Sequence, residues 1–133
     1  MPKPDRLLAT VAALMCAFES GDLDAAMALY ADDAAFYPEP GQLLHGKAQI
    51  RPALQSLMAL KPRMRLHAHV HAATADIALL HRDWEMHGQA PDGSPMQMRA
   101  RSADVLARGA DGQWRIQVDN PFGTALLDLP AAA

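Results

Sequence analysis

The stretch RMRLHAHVHA, residues 63–72, marks the point where the periodicity of the sequence changes. Apolar and polar residues alternate one by one here, which is the pattern of a strand with one buried face. The same alternation continues in IALLHRDWEMH (77–87), MQMRARSADVLAR (96–108) and QWRIQVDNPFG (113–123). Short loops containing Asp-Gly join the last three segments, as in β-hairpins. The four segments therefore predict an antiparallel meander with one apolar face.

Before Pro62 the apolar residues recur with the period of an α-helix. Three helices are predicted, in PDRLLATVAALMCAFESG (4–21), in DLDAAMALYA (22–31) and from about residue 50 to Met58. Gly21 suits the end of the first helix, Asp22 suits the N-cap of the second, and Pro52 indicates an irregular or late start of the third. A brief strand is expected in DDAAFYPEPG (32–41). Helices on one face of a curved sheet predict one α+β domain over residues 1–133.

Composition and charge exclude several classes of protein. The 133 residues carry a formal net charge of −3, and their basic residues are scattered, so a nucleic-acid partner is not expected. No segment has the ~18 consecutive apolar residues that span a bilayer, and no secretion signal is recognisable, so we expect a cytoplasmic protein without a membrane partner. Cys16 is the single cysteine, which we expect to be buried and inert.

The stretch AFESGDLDAAMALYADDAAFYPEPGQLLHGKAQIRPAL, residues 17–54, carries a family resemblance. It resembles the ketosteroid isomerase and SnoaL-like branch of the nuclear transport factor 2-like superfamily. The resemblance lies in the order of its parts, which are a helix, GDLDA, ALYADDA, a loop and G-x-x-x-I-R. The segment DGQWRIQVDNPFG, residues 111–123, is similar to the final hairpin of those domains. The resemblance implies a cone-shaped curved antiparallel sheet wrapped around three helices, a central pocket, and a homodimer formed through the outer sheet face.

The resemblance also assigns three catalytic positions of the isomerases to this chain. Leu14 stands where they place a phenolic tyrosine, and Pro38 stands where they place a base aspartate, with Glu39 beside it. Asp104 corresponds to their protonated aspartate. Because two of the three groups are absent, steroid-type isomerisation is not expected.

Asp104 shares a face with Met98 and Leu106, so alternation places its carboxyl in an apolar interior. Burial there would raise its pKa and let it donate a hydrogen bond or act as a general acid. Two other readings remain open. A slip in register would turn the side chain to solvent, and Arg82 on the neighbouring strand could pair with it as a structural ion pair.

The remaining candidates lie on the strands around Asp104. Glu39 and Asp119 are weaker candidates for the catalytic base, and strand parity places Asp119 outward and Asn120 inward. The residues expected to contact a ligand are Tyr30, Arg82, Trp84, Met86, Met98 and Asn120. Trp84 fits either a core filler or a pocket wall.

His67, His69 and His71 alternate with apolar residues, and such a run invites a metal site. Three ligands in line on one strand are poorly placed for a tetrahedral metal, and parity turns them outward, opposite Asp83 and Glu85. We therefore expect no metal and no cofactor.

Two functions of different classes fit these observations. One is an acid–base isomerase, hydrolase or lyase acting on a small apolar substrate in the pocket. The other is a non-catalytic dimeric module that binds a small apolar ligand.

Overall fold

The structure is a computed structural model and describes residues 4–128. Its helices are α1 (Pro4–Ser20), α2 (Leu23–Met27) and α3 (Lys47–Met58). Its strands are β1 (Tyr30–Glu39), β2 (Gln42–His45), β3 (Arg63–Ala73), β4 (Ile77–Gln89), β5 (Pro95–Arg101), β6 (Asp104–Arg108) and β7 (Trp114–Asp119), followed by a 3-10 helix, Gly123–Asp128. The α+β class is confirmed, with the helices preceding most of the sheet.

The seven strands form one mixed, curved sheet that does not close on itself. Its order is β2-β1-β7-β6-β4-β3, and β5 pairs with the C-terminal half of β4. All pairs are antiparallel except β1 with β7, which run parallel and bring the two halves of the chain together. This pairing and strand β2 were not expected from the sequence.

The predicted third strand of the meander is two strands. β5 pairs with residues 83–89 of β4, and β6 pairs with residues 77–80, so β4 changes partner along its length. At the break, the amide of Ser102 donates to the carbonyl of Arg82, while the amide of Ala103 donates to that of Asn120. The chain therefore steps away from β4 toward the end of β7 between these two residues.

Two one-residue bulges change which side chains face the core. In β3, Leu66 lies opposite Trp84 but Ala68 lies opposite Asp83, so His67 is the extra residue. In β7, Ile116 lies opposite Leu106 and Val118 opposite Val105, which makes Gln117 the extra residue. Because side chains alternate along a strand, each bulge exchanges the two faces for every residue beyond it.

The helices match the prediction closely, with differences at their ends. Asp22 caps α2, accepting from the amide of Ala25 at 3.0 Å, but α2 ends at Met27, and Tyr30 begins a strand instead. Helix α3 starts at Lys47 despite Pro52, because the amides of Gln49 and Ile50 already close its first turn onto Gly46.

One stripe of α1 packs into the core, with Leu7, Val11, Leu14 and Ala17 all buried. Cys16 lies off this stripe and is exposed, so the expectation of a buried thiol was wrong. None of the helices in residues 4–128 is long and apolar enough to cross a membrane.

Candidate functional site

An open cavity lies between helix α1, the end of α3 and the inner face of the sheet. Its empty volume is about 770 Å³ including the solvent at its mouth. Aromatic and methionine residues make up half of its lining: Phe18, Phe36, Trp84, Phe122, Met15, Met64, Met86 and Met98. Flexible, polarisable methionines make such a wall adaptable to an irregular apolar ligand.

Two charged side chains, Arg82 and Asp119, interrupt this apolar lining among the described residues. Both are buried, and Nη2 of Arg82 lies 3.8 Å from Oδ1 of Asp119. The cavity thus has one polar end, made by a guanidinium and a carboxyl, and otherwise apolar walls. Concave apolar sites with a few convergent polar groups are the usual form of small-molecule sites.

The two oxygens of Asp119 have different surroundings. Oδ2 accepts a hydrogen bond from the phenol of Tyr30 at 2.5 Å. Oδ1 has no hydrogen-bond partner, and within residues 4–128 it is the one buried side-chain oxygen or nitrogen in that condition. An unsatisfied buried polar atom costs free energy, so a group that persists in this state calls for a functional explanation.

Burial raises the pKa of Asp119 to about 7, and the nearby negative charge of Asp104 acts in the same direction. The positive charge of Arg82 and the hydrogen bond from Tyr30 oppose this rise without cancelling it. A carboxyl with such a pKa can both accept and return a proton near neutral pH, as acid–base catalysis requires.

Tyr30 is fully buried behind Asp119 and does not line the cavity. Burial, followed by the charge of Asp119, holds the pKa of the Tyr30 phenol well above its usual value. The phenol therefore keeps its proton and acts as a hydrogen-bond donor to Asp119. Tyr30 was predicted to contact a ligand, but the structure places it behind Asp119, one layer away from the cavity.

Asp104 faces the interior, as alternation predicted, but it lies behind Arg82 instead of on the cavity wall. Its Oδ2 accepts hydrogen bonds from Nε of Arg82 at 2.9 Å and from the hydroxyl of Ser102 at 2.7 Å. Of the readings left open, the structure shows the ion pair with Arg82.

Arg82 is held between two carboxyls. Burial lowers its pKa, but the charges of Asp104 and Asp119 outweigh burial, so the pKa stays above its ordinary value and the guanidinium remains charged. Because Nε is engaged by Asp104, the two terminal nitrogens are the Arg82 donors left for a ligand.

The predicted parity of β7 was wrong. Asp119 points inward and is buried, whereas Asn120 is half-buried with its side chain turned into its own turn. The bulge at Gln117 explains the exchange, because it shifts every later residue to the other face. Glu39 is exposed at the end of β1 and does not line the cavity, although the preceding Pro38 does.

Comparison with known proteins identifies the family of this domain. A model of the SnoaL-like domain matches residues 11–116. The chain belongs to the SnoaL-like domain family. No curated protein matches the chain.

Several solved structures share the fold of this SnoaL-like domain. A nuclear transport factor 2-like superfamily protein of Salmonella enterica is 18% identical, with 90% of this chain and 89% of that chain covered and a TM-score of 0.80. A candidate ketosteroid isomerase of Shewanella frigidimarina is 20% identical, covering 84% and 90%, with a TM-score of 0.73. A candidate dehydratase of Streptomyces avermitilis is also 20% identical, covering 87% and 92%, with a TM-score of 0.73.

Three more of the residues predicted to contact a ligand line the cavity of this SnoaL-like domain, together with residues that were not predicted. Trp84, Met86 and Met98 form its wall, and Nε1 of Trp84 donates to the carbonyl of Pro121 at 2.7 Å. Sequence analysis missed the contributions of Pro121 and Phe122 because they follow the last strand, where alternation no longer applies. Ser102 was on the predicted inward stripe, and its small buried hydroxyl could have been recognised there as a partner of Asp104.

The outer histidines of the SnoaL-like domain separate into two groups. His67 faces outward and lies 2.8 Å from Glu85, which also contacts His87. Beyond the bulge, His69 lies opposite Arg82 and His71 opposite Leu80, so these two rings share the other side of β3. The expectation that all three histidines share the outward face was therefore wrong. Within residues 4–128, no group of three or more His, Cys, Asp or Glu side chains could hold a metal ion.

Proposed function

We propose that the protein is an acid–base enzyme in which Asp119 moves a proton on a small, neutral, apolar carbonyl compound. One observation carries this proposal: Asp119 lines an apolar cavity, burial raises its pKa to about 7, and its buried Oδ1 accepts no hydrogen bond within residues 4–128. The family includes isomerases and dehydratases, and both reactions begin with such a proton transfer.

In the proposed reaction, ionised Asp119 takes a proton from the carbon next to the carbonyl group. The electron pair of the C–H bond forms a carbon–carbon double bond, and the carbonyl electron pair moves to oxygen. A terminal N–H of Arg82 binds that oxygen as it becomes negative. When a carbon–carbon double bond adjoins the deprotonated carbon, Asp119 returns its proton to the far carbon of that bond, and the carbonyl re-forms, which gives an isomer. When the neighbouring carbon carries a hydroxyl group, Asp119 gives its proton to that group as its C–O bond breaks. The enolate electrons then re-form the carbonyl and make a new carbon–carbon double bond, and water leaves.

The charges of the buried groups suit this step. Asp104 already balances Arg82, so ionised Asp119 leaves the cluster with one net negative charge. Proton transfer moves that charge from Oδ1 of Asp119 to the ligand oxygen beside Arg82, and the total charge in the cavity does not change. A ligand that is already anionic would add a second negative charge, so neutral ligands are favoured.

The test uses 2-tetralone, a neutral bicyclic ketone with acidic C–H bonds next to its carbonyl. Its proton–deuterium exchange in D₂O at pD 7 is followed by NMR with wild type, Asp119→Asn and Glu39→Gln. We expect wild type to accelerate exchange, Asp119→Asn to lose about 10²–10⁴-fold of that acceleration, and Glu39→Gln to match wild type. A wild-type rate equal to buffer, or full acceleration by Asp119→Asn, contradicts the proposal.

The second candidate is a non-catalytic module that binds a neutral apolar molecule. It is supported by the cavity lining, where Asp119 is the single group whose pKa lies near neutrality. Saturable binding of 2-tetralone without accelerated exchange would favour this function.

We also propose that two copies associate through the outer face of the sheet. The bulge in β3 turns Val70 to this face, where it is 69% exposed and lies opposite His81. Leu79, at 46%, and Ile77, at 51%, lie on the same face of β4. An exposed apolar patch on a sheet is a common site of association, and in a two-fold dimer the same patch would meet its own copy.

A further inference from the structure

The side chain of Asn120 closes the turn that follows β7. Its side-chain Oδ1 accepts from the amides of Phe122 and Gly123, at 3.2 and 3.1 Å, and its Nδ2 donates to the carbonyl of Gly123 at 3.2 Å. Its own carbonyl accepts from the amide of Ala103. Asn120 does not line the cavity. Its side-chain oxygen, its amide N–H, its carbonyl and one of the two N–H groups of Nδ2 are all used within the protein.

This turn forms one wall of the cavity through Pro121 and Phe122. The Trp84 indole donates to the carbonyl of Pro121 at 2.7 Å, and its ring meets Phe122 edge-on with centroids 6.5 Å apart. Gly123 has φ +56, and a Cβ there would collide with the backbone oxygen of Arg101. The turn is therefore fixed against both β4 and β5.

Asp104 connects the turn to the polar end of the cavity. Its Oδ1 accepts from the amide of Asn120 at 3.1 Å, while its Oδ2 holds Arg82 and Ser102. One buried carboxylate therefore fixes both the guanidinium at the cavity floor and the residue that begins the wall.

We propose that Asn120 is a positioning residue that holds Pro121 and Phe122 as a rigid wall, and that this wall determines which ligand shapes the cavity accepts. Asp104 is the anchor of this wall and does not itself touch a ligand. Asn120 holds this wall whether or not the protein is an enzyme. The selection of ligands by their shape rests on the proposed binding of an apolar ligand in the cavity.

The first test measures how firmly the wall is held, and it needs no ligand. Asn120→Ala is compared with Gln49→Ala, a matched control, because Gln49 also accepts a backbone amide through its side-chain oxygen, at an exposed site remote from the cavity. The indole N–H signal of Trp84 is assigned by Trp84→Phe, and its exchange with water is measured by NMR. We expect exchange at least about tenfold faster in Asn120→Ala, and a wild-type signal in Gln49→Ala.

The second test measures which ligand shapes the cavity accepts. It compares the binding of two neutral fluorescent probes, N-phenyl-1-naphthylamine and the larger, rigid Nile red. In Asn120→Ala and in Phe122→Ala, we expect the ratio of the two dissociation constants to shift by at least about threefold in favour of Nile red. Asn120→Ser keeps an oxygen that can accept the turn amides and should restore both readouts toward wild type.

Three results would overturn the proposal. The Trp84 signal could stay unchanged in folded Asn120→Ala, the probe ratio could stay unchanged in both variants, or Gln49→Ala could match Asn120→Ala. If Asn120→Ala does not fold, Asn120→Ser decides the first readout and Phe122→Ala the second. If wild type binds neither probe, the proposed ligand class fails, and the Trp84 signal alone decides whether Asn120 holds the wall.

Discussion

The phenol of Tyr30 donates to Oδ2 of Asp119 at 2.5 Å, although 89 residues separate the two along the chain. This hydrogen bond occupies one carboxyl oxygen and leaves Oδ1 as the one available to the cavity. Because the phenol keeps its proton, it favours the ionised form of Asp119 and partly offsets the effect of burial. Tyr30 thus sets both the orientation and the acidity of the proposed base.

Replacing Tyr30 with phenylalanine should therefore raise the pKa of Asp119 above its value of about 7. The same change leaves a second oxygen of Asp119 unsatisfied and should lower the free energy of unfolding by about 1–3 kcal/mol. The pKa can be measured by following the carboxyl carbon of Asp119 by NMR from pH 5 to 9.

Tyr37→Phe is the matched control, since Tyr37 is on the same strand, is half-buried and has no bond to Asp119. It should leave the pKa of Asp119 unchanged. A pKa in Tyr30→Phe equal to or below that of wild type would show that the phenol does not stabilise the ionised carboxyl.

Stability should fall as pH rises toward neutrality because of Asp119. Its folded pKa is raised, so between pH 4 and 7 the folded protein holds a proton that the unfolded chain has released. The free energy of unfolding should therefore decrease across this window, by up to about 1.4 kcal/mol per pH unit, and level off above pH 8. The titratable and charged groups next to Asp119 are Tyr30, Arg82 and Asp104. All three are also present in the variant Asp119→Asn, so the comparison of that variant with wild type isolates the contribution of Asp119.

That variant is Asp119→Asn, and urea unfolding from pH 5 to 8 measures the difference. Its stability relative to wild type should increase steadily with pH, because the amide carries no charge to bury. Exposed carboxyls such as Asp111, whose pKa is lowered to about 2, lose their contribution only below this range. A constant difference between the two proteins across the range would contradict a pKa near 7.

Asp104→Asn should be costly at low pH, since it leaves Arg82 buried without its partner. We expect a loss of about 3–5 kcal/mol at pH 5, where Asp119 is protonated. At pH 8 the loss should be smaller, because ionised Asp119, 3.8 Å from Arg82, can take over as the partner. Chemical unfolding at the two pH values measures both losses.

The control for this change is Asp83→Asn on the outer face. Asp83 pairs with Arg99 near the surface, and such pairs contribute less than about 1 kcal/mol. If Asp104→Asn were as stable as wild type at pH 5, the ion pair with Arg82 could not be a structural requirement.

Leu79→Lys should abolish the proposed dimer without affecting the fold, because it places a charge at the centre of the exposed apolar patch. Sedimentation at micromolar concentration and neutral pH should give a dimer for wild type and a monomer for the variant. Lys61→Ala lies outside the patch and should remain dimeric, and a monomeric wild type would disprove the interface.

Alternation predicted the inner face wherever a strand is uninterrupted. Arg82, Trp84 and Met86 lie on one unbroken stretch of β4, and all three line the cavity as their parity required. Asp104 also faces inward as predicted, although its strand is broken before it. The break comprises two residues, Ser102 and Ala103, and a two-residue step preserves the alternation.

A one-residue bulge reverses the alternation of inward and outward side chains, and no pattern in the sequence predicts where it occurs. His67 and Gln117 are ordinary strand residues, so nothing in their chemistry marks them as inserted. The bulge at Gln117 depends on how β7 fits between β1 and β6, which is a property of the assembled sheet. Asp119 was therefore placed on the outer face, and its role at the cavity could be read only from the structure.

The parallel pairing of β1 with β7 determines when the proposed catalytic group can form during protein synthesis. Tyr30 emerges from the ribosome early, but its partner Asp119 lies in β7, the last strand within residues 4–128, opposite Phe36 of β1. Until then, the edge of β1 that pairs with β7 is open, and the cavity lacks Asp119. The incomplete chain therefore carries an unpaired strand edge, which a chaperone that covers β1 until β7 arrives would protect.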